Sequence, residues 1–101
     1  MNIEETPEKF GLEIVVRHDF AGSYEFDEVI IFRDQAGQLL AGHDSGCSCP
    51  IPWENMGVPD LTPVRGFHEI LDYARSSVSQ YNYDAATWAS VVEAALKGVA
   101  E

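Results

Sequence analysis

Basic side chains are scarce in this chain: Lys and Arg together number 6 against 17 Asp and Glu, for a formal charge of −11. A surface that grips phosphates needs clustered Lys and Arg to neutralise them. Here Lys9, Arg17, Arg33, Arg65, Arg75 and Lys97 are scattered along the sequence, which argues against a nucleic-acid binder. Long apolar runs are also missing, and none approaches the ~20 residues that a membrane span requires. The opening Met1-Asn2-Ile3-Glu4-Glu5-Thr6-Pro7-Glu8 has neither the basic nor the apolar region of a secretory signal. The expectation is a cytosolic protein with no nucleic-acid or membrane partner. There is no GxGxxG, no Walker loop, no internal repeat and no low-complexity tract, so nothing announces a nucleotide site or a repeat array. The acidity serves solubility in the plainest reading. In a sharper one it faces a basic partner or imitates DNA.

What is present is enough apolar sequence to build one core. A chain of 101 residues fits one domain. Residues 1–10 read as a flexible tail, because Pro7 and the surrounding acids sit badly in a core. From residue 12 the pattern predicts a strand over 12–18, with Leu12, Ile14, Val16 and His18 on one face. After a turn at Ala21-Gly22-Ser23, a second strand is predicted over 24–33. It is apolar on both faces, Phe26, Ile30 and Phe32 against Val29 and Ile31, which makes it the central strand. Asp34-Gln35-Ala36-Gly37 forms a tight hairpin closed by the glycine, and a third strand follows over 38–43.

Two helices are predicted to finish the chain. Gly66, or Thr62, starts the first, along which Phe67, Ile70, Leu71, Ala74 and Val78 follow a helical stripe. Asp84 caps the second, whose stripe is Trp88, Val91, Val92, Ala95, Leu96 and Val99. A small meander with an apolar face is unstable alone, and these stripes are its natural cover. The expected fold is α+β over residues 11–101: a three-stranded antiparallel β-meander covered by two C-terminal helices.

The unusual segment is residues 44–63, with two Gly, four Pro and both cysteines. It reads as a loop of about 20 residues, a length that is usually functional or disordered. Cys47 and Cys49 would point to one side of an extended segment. A disulfide between them would be strained and has no place in a reducing cytosol. A metal site would draw on His43, Asp44, Cys47 and Cys49, with His18 or His68 to complete the set, although the spacing is not a standard zinc pattern. The plainer reading makes both thiols small buried hydrophobes. A catalytic role would need a base beside a cysteine, and no signature of one appears. Asp27 and Glu28 fall on opposite faces of their strand, the wrong arrangement for joint acid–base work. Recognition remains. Trp53, on a proline-stiffened loop, either anchors an interface or plugs an edge of the core. Tyr81 and Tyr83 would extend such a patch.

The stretch Ile31-Phe32-Arg33-Asp34, Gly37-Gln38-Leu39, Asp44-Ser45-Gly46-Cys47-Ser48-Cys49-Pro50-Ile51-Pro52-Trp53-Glu54 and Asp60-Leu61-Thr62-Pro63-Val64 resembles an uncharacterised family of small actinobacteriophage and actinobacterial proteins. The resemblance covers roughly residues 24–75, and Gly-Cys-Ser-Cys-Pro is its most specific element. Trp53 stands where the family more often has Phe, and the second helix runs past the usual end. The family brings no assigned activity, so no catalytic residue is carried over. What the resemblance implies is a phage-type accessory protein in a bacterial host cytoplasm.

The expectation for function is therefore a non-enzymatic protein that binds a host or phage protein through Asp44, Cys47, Cys49, Pro50, Pro52, Trp53 and Glu54, without a cofactor. The alternatives are a small zinc module using His43, Cys47 and Cys49, and a virion or assembly component that associates with its own copies.

Overall fold

The computed structural model describes residues 2–21, 25–47, 53 and 56–100, and of Cys47 and residues 98–100 the backbone alone. The elements are β1 (Leu12–Asp19), β2 (Glu25–Asp34), β3 (Leu39–Cys47), β4 (Thr62–Val64), α1 (Phe67–Ser77) and α2 (Ala85–Ala100), with 3-10 turns at Pro7–Phe10 and Val58–Asp60. The strands form one antiparallel sheet in the order β1-β2-β3-β4. The α+β class and the two helices stand as expected. The sheet, however, has four strands rather than three. Among the described residues no helix is long and apolar enough to cross a membrane.

Strand β2 is interior, as its two apolar faces imply. Val29, Ile30, Ile31 and Phe32 are all fully buried, alternating between two cores on opposite sides of the sheet. One core receives Val29 and Ile31 under the helices, with Ile70, Ala74, Trp88 and Val92 above them. The other receives Ile30 and Phe32 with Leu12, Leu40, Trp53, Leu61 and Ile3. The sheet thus has no bare apolar face. The second cover comes from segments expected to be loop and tail. Residues 1–10 were expected to trail free, yet Ile3 is only 1 % exposed. Burying an isoleucine contributes about 1.5–3 kcal/mol, which holds the segment down.

Three local features depart from the simple pattern. The first is a β-bulge in β1: Ile14 opposes Phe32 and Val16 opposes Ile31, so Val15 is the extra residue. A bulge sets two residues against one and re-aims those that follow. Leu12 and Ile14 therefore join the Trp53 core, while Val15 and Val16 join the helix-side core. The expected single face of Leu12, Ile14, Val16 and His18 is split in two. The second is the length of β3, which runs on to Cys47 because β2 offers partners that far, ending in the pair Glu25–Cys47. The third is β4, drawn from the expected loop, which pairs Thr62, Pro63 and Val64 with Ala41, Leu40 and Leu39. Pro63 lacks an N–H, and an edge strand is where a sheet tolerates that.

The punctuation of the chain is as the residues suggest. Asp34 Oδ1 accepts from the N–H groups of Ala36 and Gln38, both at 2.9 Å, and Gly37 closes the hairpin at φ 86°. Gly66 caps α1. Asp84 caps α2 by accepting from the Thr87 N–H at 3.1 Å, which also holds the Asp84 carboxyl below its usual pKa.

Gly42 is required for a different reason. A Cβ placed there would lie 2.7 Å from Leu61 Cδ2 and 3.0 Å from Trp53 Cζ3, so the indole rests directly on the strand backbone. Gly42→Ala is expected to lower stability by about 1–3 kcal/mol through overpacking, measured by urea unfolding. An unchanged midpoint would mean that the indole does not lie on β3.

Candidate functional site

The adjacent acids Asp27 and Glu28 organise the two sides of the sheet. Acids in the middle of a buried strand must find partners, since an unpaired buried charge is strongly unfavourable. Alternation along β2 sends Glu28 to the Trp53 side and Asp27 to the helix side, as the sequence indicates.

On the first side, Glu28 takes Arg17 by two contacts, Nε to Oε2 at 2.9 Å and Nη2 to Oε1 at 3.3 Å. Its Oε1 also accepts the Trp53 indole N–H at 2.5 Å. The Trp53 backbone N–H is bound in turn by Asp44 Oδ2 at 2.7 Å. Trp53 adopts φ 66°, a left-handed conformation uncommon for a bulky residue, and is 0 % exposed. These contacts correct the expected binding set. Trp53 is a plug that closes the second core and offers no contact surface, while the half-buried Asp44 holds it by its backbone N–H. Cys49, Pro50, Pro52 and Glu54 lie outside the described residues, as does the expected turn at Gly22-Ser23.

On the helix side, Asp27 is 3 % exposed and gathers three distant parts of the chain. Its Oδ1 meets His43 Nε2 on β3. Its Oδ2 accepts the Ser79 N–H and the Asn82 side-chain N–H, both at 3.0 Å. Burial by itself raises the pKa of this carboxyl. The bonds from Asn82, His43 and Ser79, with the electrostatic attraction of His43, outweigh burial and hold it below the ordinary 3.8.

The connection between α1 and α2 is thus fastened to the sheet at two points. It is also tied to itself, because the N–H groups of Asn82 and Tyr83 both reach the Ser79 carbonyl at 2.9 Å. Tyr83 turns inward beside Phe20, with ring centroids 5.8 Å apart. Tyr81 does the opposite and is 91 % exposed. Of the two tyrosines expected to extend a binding patch, only Tyr81 faces water. Next to this loop lies a cleft of about 380 Å³ bordered by Ser79 and Asn82 on one side and by Asp27, Ser45 and Gly46 on the other. Ser45 and Gly46 lead directly into Cys47 and the Cys/Pro-rich segment.

The three histidines do not assemble. His18 packs against Phe20 and Trp88 at centroid distances of 4.5 and 5.9 Å, His43 is bound to Asp27, and His68 lies against Phe67. His43 and Asp44 point to opposite faces of β3. Cys47, four residues along the same extended strand, has its backbone roughly 13 Å from that of His43 at ~3.3 Å per residue, too far for the two to share an ion. Among the described residues no three His, Cys, Asp or Glu side chains come together to hold a metal. The zinc alternative built on His43, Cys47 and Cys49 therefore loses its histidine.

What sequence reasoning missed is the pairing of Asp27 with His43, Ser79 and Asn82, and of Glu28 with Arg17 and Trp53. The available signal was the acidic pair itself, set inside the most apolar strand. A comparison with family models matches residues 1–101 to one described as a domain of unknown function, DUF7574. Comparison with curated proteins and with solved structures finds no match.

Proposed function

We propose that this chain, which belongs to the DUF7574 family, is a non-catalytic module that binds another protein at the end of the sheet where the Tyr81 loop meets the start of the Cys/Pro-rich segment. The observation that carries this is Tyr81, 91 % exposed on a loop whose flanking residues are bonded to a buried carboxylate. Tyrosine is enriched among the residues that dominate binding energy. A pre-tied loop loses little entropy when a partner lands on it. Solvation alone gives no reason to fix an aromatic side chain outward on so well-bonded a turn.

The finer reading is a phage-type accessory protein acting on a host factor in a bacterial cytoplasm. Its support is the resemblance of the Asp44–Glu54 segment described above, together with the charge of −11, which suits a basic protein partner better than nucleic acid or an anionic membrane. Cys47, Cys49, Pro50, Pro52 and Glu54 are kept as proposed contact residues on the strength of that resemblance, and Tyr81 is added to them on the strength of its exposure.

The test is affinity capture from a bacterial host lysate followed by titration of the purified partner. Tyr81→Ala is expected to weaken binding at least about tenfold while changing stability by less than about 0.5 kcal/mol. Recovery of the same proteins at the same strength would overturn the reading. Light scattering separates the assembly alternative: a dimer that Tyr81→Ala dissolves would mean that the partner is a second copy.

A further inference from the structure

We infer that the partner proposed above places an arginine side chain into the cleft beside the Tyr81 loop, an inference that rests on that reading and specifies the chemistry of its ligand. The cleft, about 380 Å³ in volume, is bordered by Glu25, Asp27, Ser45, Gly46, Ser79 and Asn82. That volume lies at the lower end of the range of ligand sites, suited to one side chain.

The polar groups around it are mainly acceptors. Glu25 and Asp27 bring carboxylates, and Ser45 and Ser79 bring hydroxyls, which can accept as well as donate. The Asn82 N–H is committed to Asp27, which leaves its side-chain carbonyl. Three of the roughly four acceptor sites of the Asp27 carboxylate are occupied, by His43, Ser79 and Asn82.

The chain brings no strong base to this place. Arg17 sits on Glu28, Arg33 on Glu13 and Lys97 on Glu93. No Lys or Arg borders the cleft, and none occurs in residues 22–24 or 48–55, the neighbouring stretches of sequence. A guanidinium supplies five fixed N–H donors and a flat cationic face. It would answer the acceptors, and its face would suit the exposed tyrosine ring on the same loop.

The probe is N-acetyl-arginine amide, titrated at low ionic strength into the isotope-labelled full chain while backbone amide shifts are followed. Shifts are expected to concentrate at Ser45, Gly46, Ser79 and Asn82. Glu25→Gln is expected to weaken the association about threefold, the size an exposed ion pair supports. Asp72→Asn, an equal change of charge on the outer side of α1, should leave it unchanged, and N-acetyl-norleucine amide should not bind. Shifts spread evenly over the acidic surface, or equal effects of Glu25→Gln and Asp72→Asn, would overturn the inference. So would an N-acetyl-lysine amide response equal to that of arginine. A captured partner that depends on Tyr81 but not on Glu25 sinks this inference and leaves the proposed function standing. A partner indifferent to Tyr81 removes both.

Discussion

Trp53→Ala is expected to lower the stability of the chain by about 3–5 kcal/mol, a large share of the 5–15 kcal/mol that holds a typical domain together. Two effects add. The indole is fully buried between Leu61, Phe32 and Leu40 in the core on the far side from the helices, and its removal leaves a cavity over Gly42, where no side chain can fill in. The substitution also takes away the N–H that Glu28 Oε1 accepts at 2.5 Å, leaving that carboxylate to Arg17 alone. Trp53→Phe separates the terms: it keeps most of the buried ring and loses the donor, so its expected cost is about 1.5–3 kcal/mol, the value of a hydrogen bond to a charged group. Guanidinium unfolding gives both numbers. A loss under about 1 kcal/mol for Trp53→Ala would mean that the second face of the sheet does not depend on this residue. If Ile3 is held by the same core, the Ile3 amide should exchange faster in Trp53→Ala than in the parent.

That second face is also where the sequence was hardest to read. The central strand was legible because Val29-Ile30-Ile31-Phe32 is apolar without alternation, and such a run has to be covered on both sides. The conclusion that segments outside the two helices must supply the second cover was available from that observation alone. Gly42 was a further signal: a glycine inside a strand often marks the close approach of another group, here the ring of Trp53. The bulge at Val15 left no trace, since Leu12, Ile14, Val16 and His18 alternate without a break. It arises because Leu12 and Ile14 are wanted in one core and Val16 in the other. The strand Thr62–Val64 is too short and too proline-marked for local propensity to find, and it exists because β3 has an edge to pair. The helix caps at Gly66 and Asp84 depend on a few neighbouring residues, and these were legible.

The candidate site follows the same logic of distance. The acids Asp27 and Glu28 were visible as a pair split between faces, but their partners lie 11 to 55 residues away. No spacing rule connects β2 to the turn between the helices. Tyr81 and Trp53 show the limit most clearly. Both are aromatic residues in irregular stretches, and only tertiary contact turns one fully inward and leaves the other in water.

Asp27 makes the exposure of Tyr81 a property of the fold, and its replacement is the second large effect to expect. Asp27→Ala removes the acceptor for the Ser79 N–H, the Asn82 amide and His43 at once. Breaking a buried charged cluster in this way costs about 3–5 kcal/mol. Asp27→Asn keeps the shape and one acceptor oxygen, and should cost about 1–3 kcal/mol. Its pH dependence identifies the cause. Because the folded-state pKa of Asp27 is held below 3.8, the stability it contributes is fully present above the unfolded-state value and is lost as pH falls through the lower folded value. The gap in unfolding free energy between the parent and Asp27→Asn should therefore be present near pH 5 and narrow in acid below about pH 4. A gap that persists unchanged down to pH 2 would mean that the ionised carboxylate is not what binds the loop. The local consequence should appear in the same variant at neutral pH: the Ser79 and Asn82 amides should exchange faster while those of Val29 and Ile31 stay protected, because the turn is released before the sheet is. A partner that reads Tyr81 on a fixed turn would then bind Asp27→Asn more weakly than the parent.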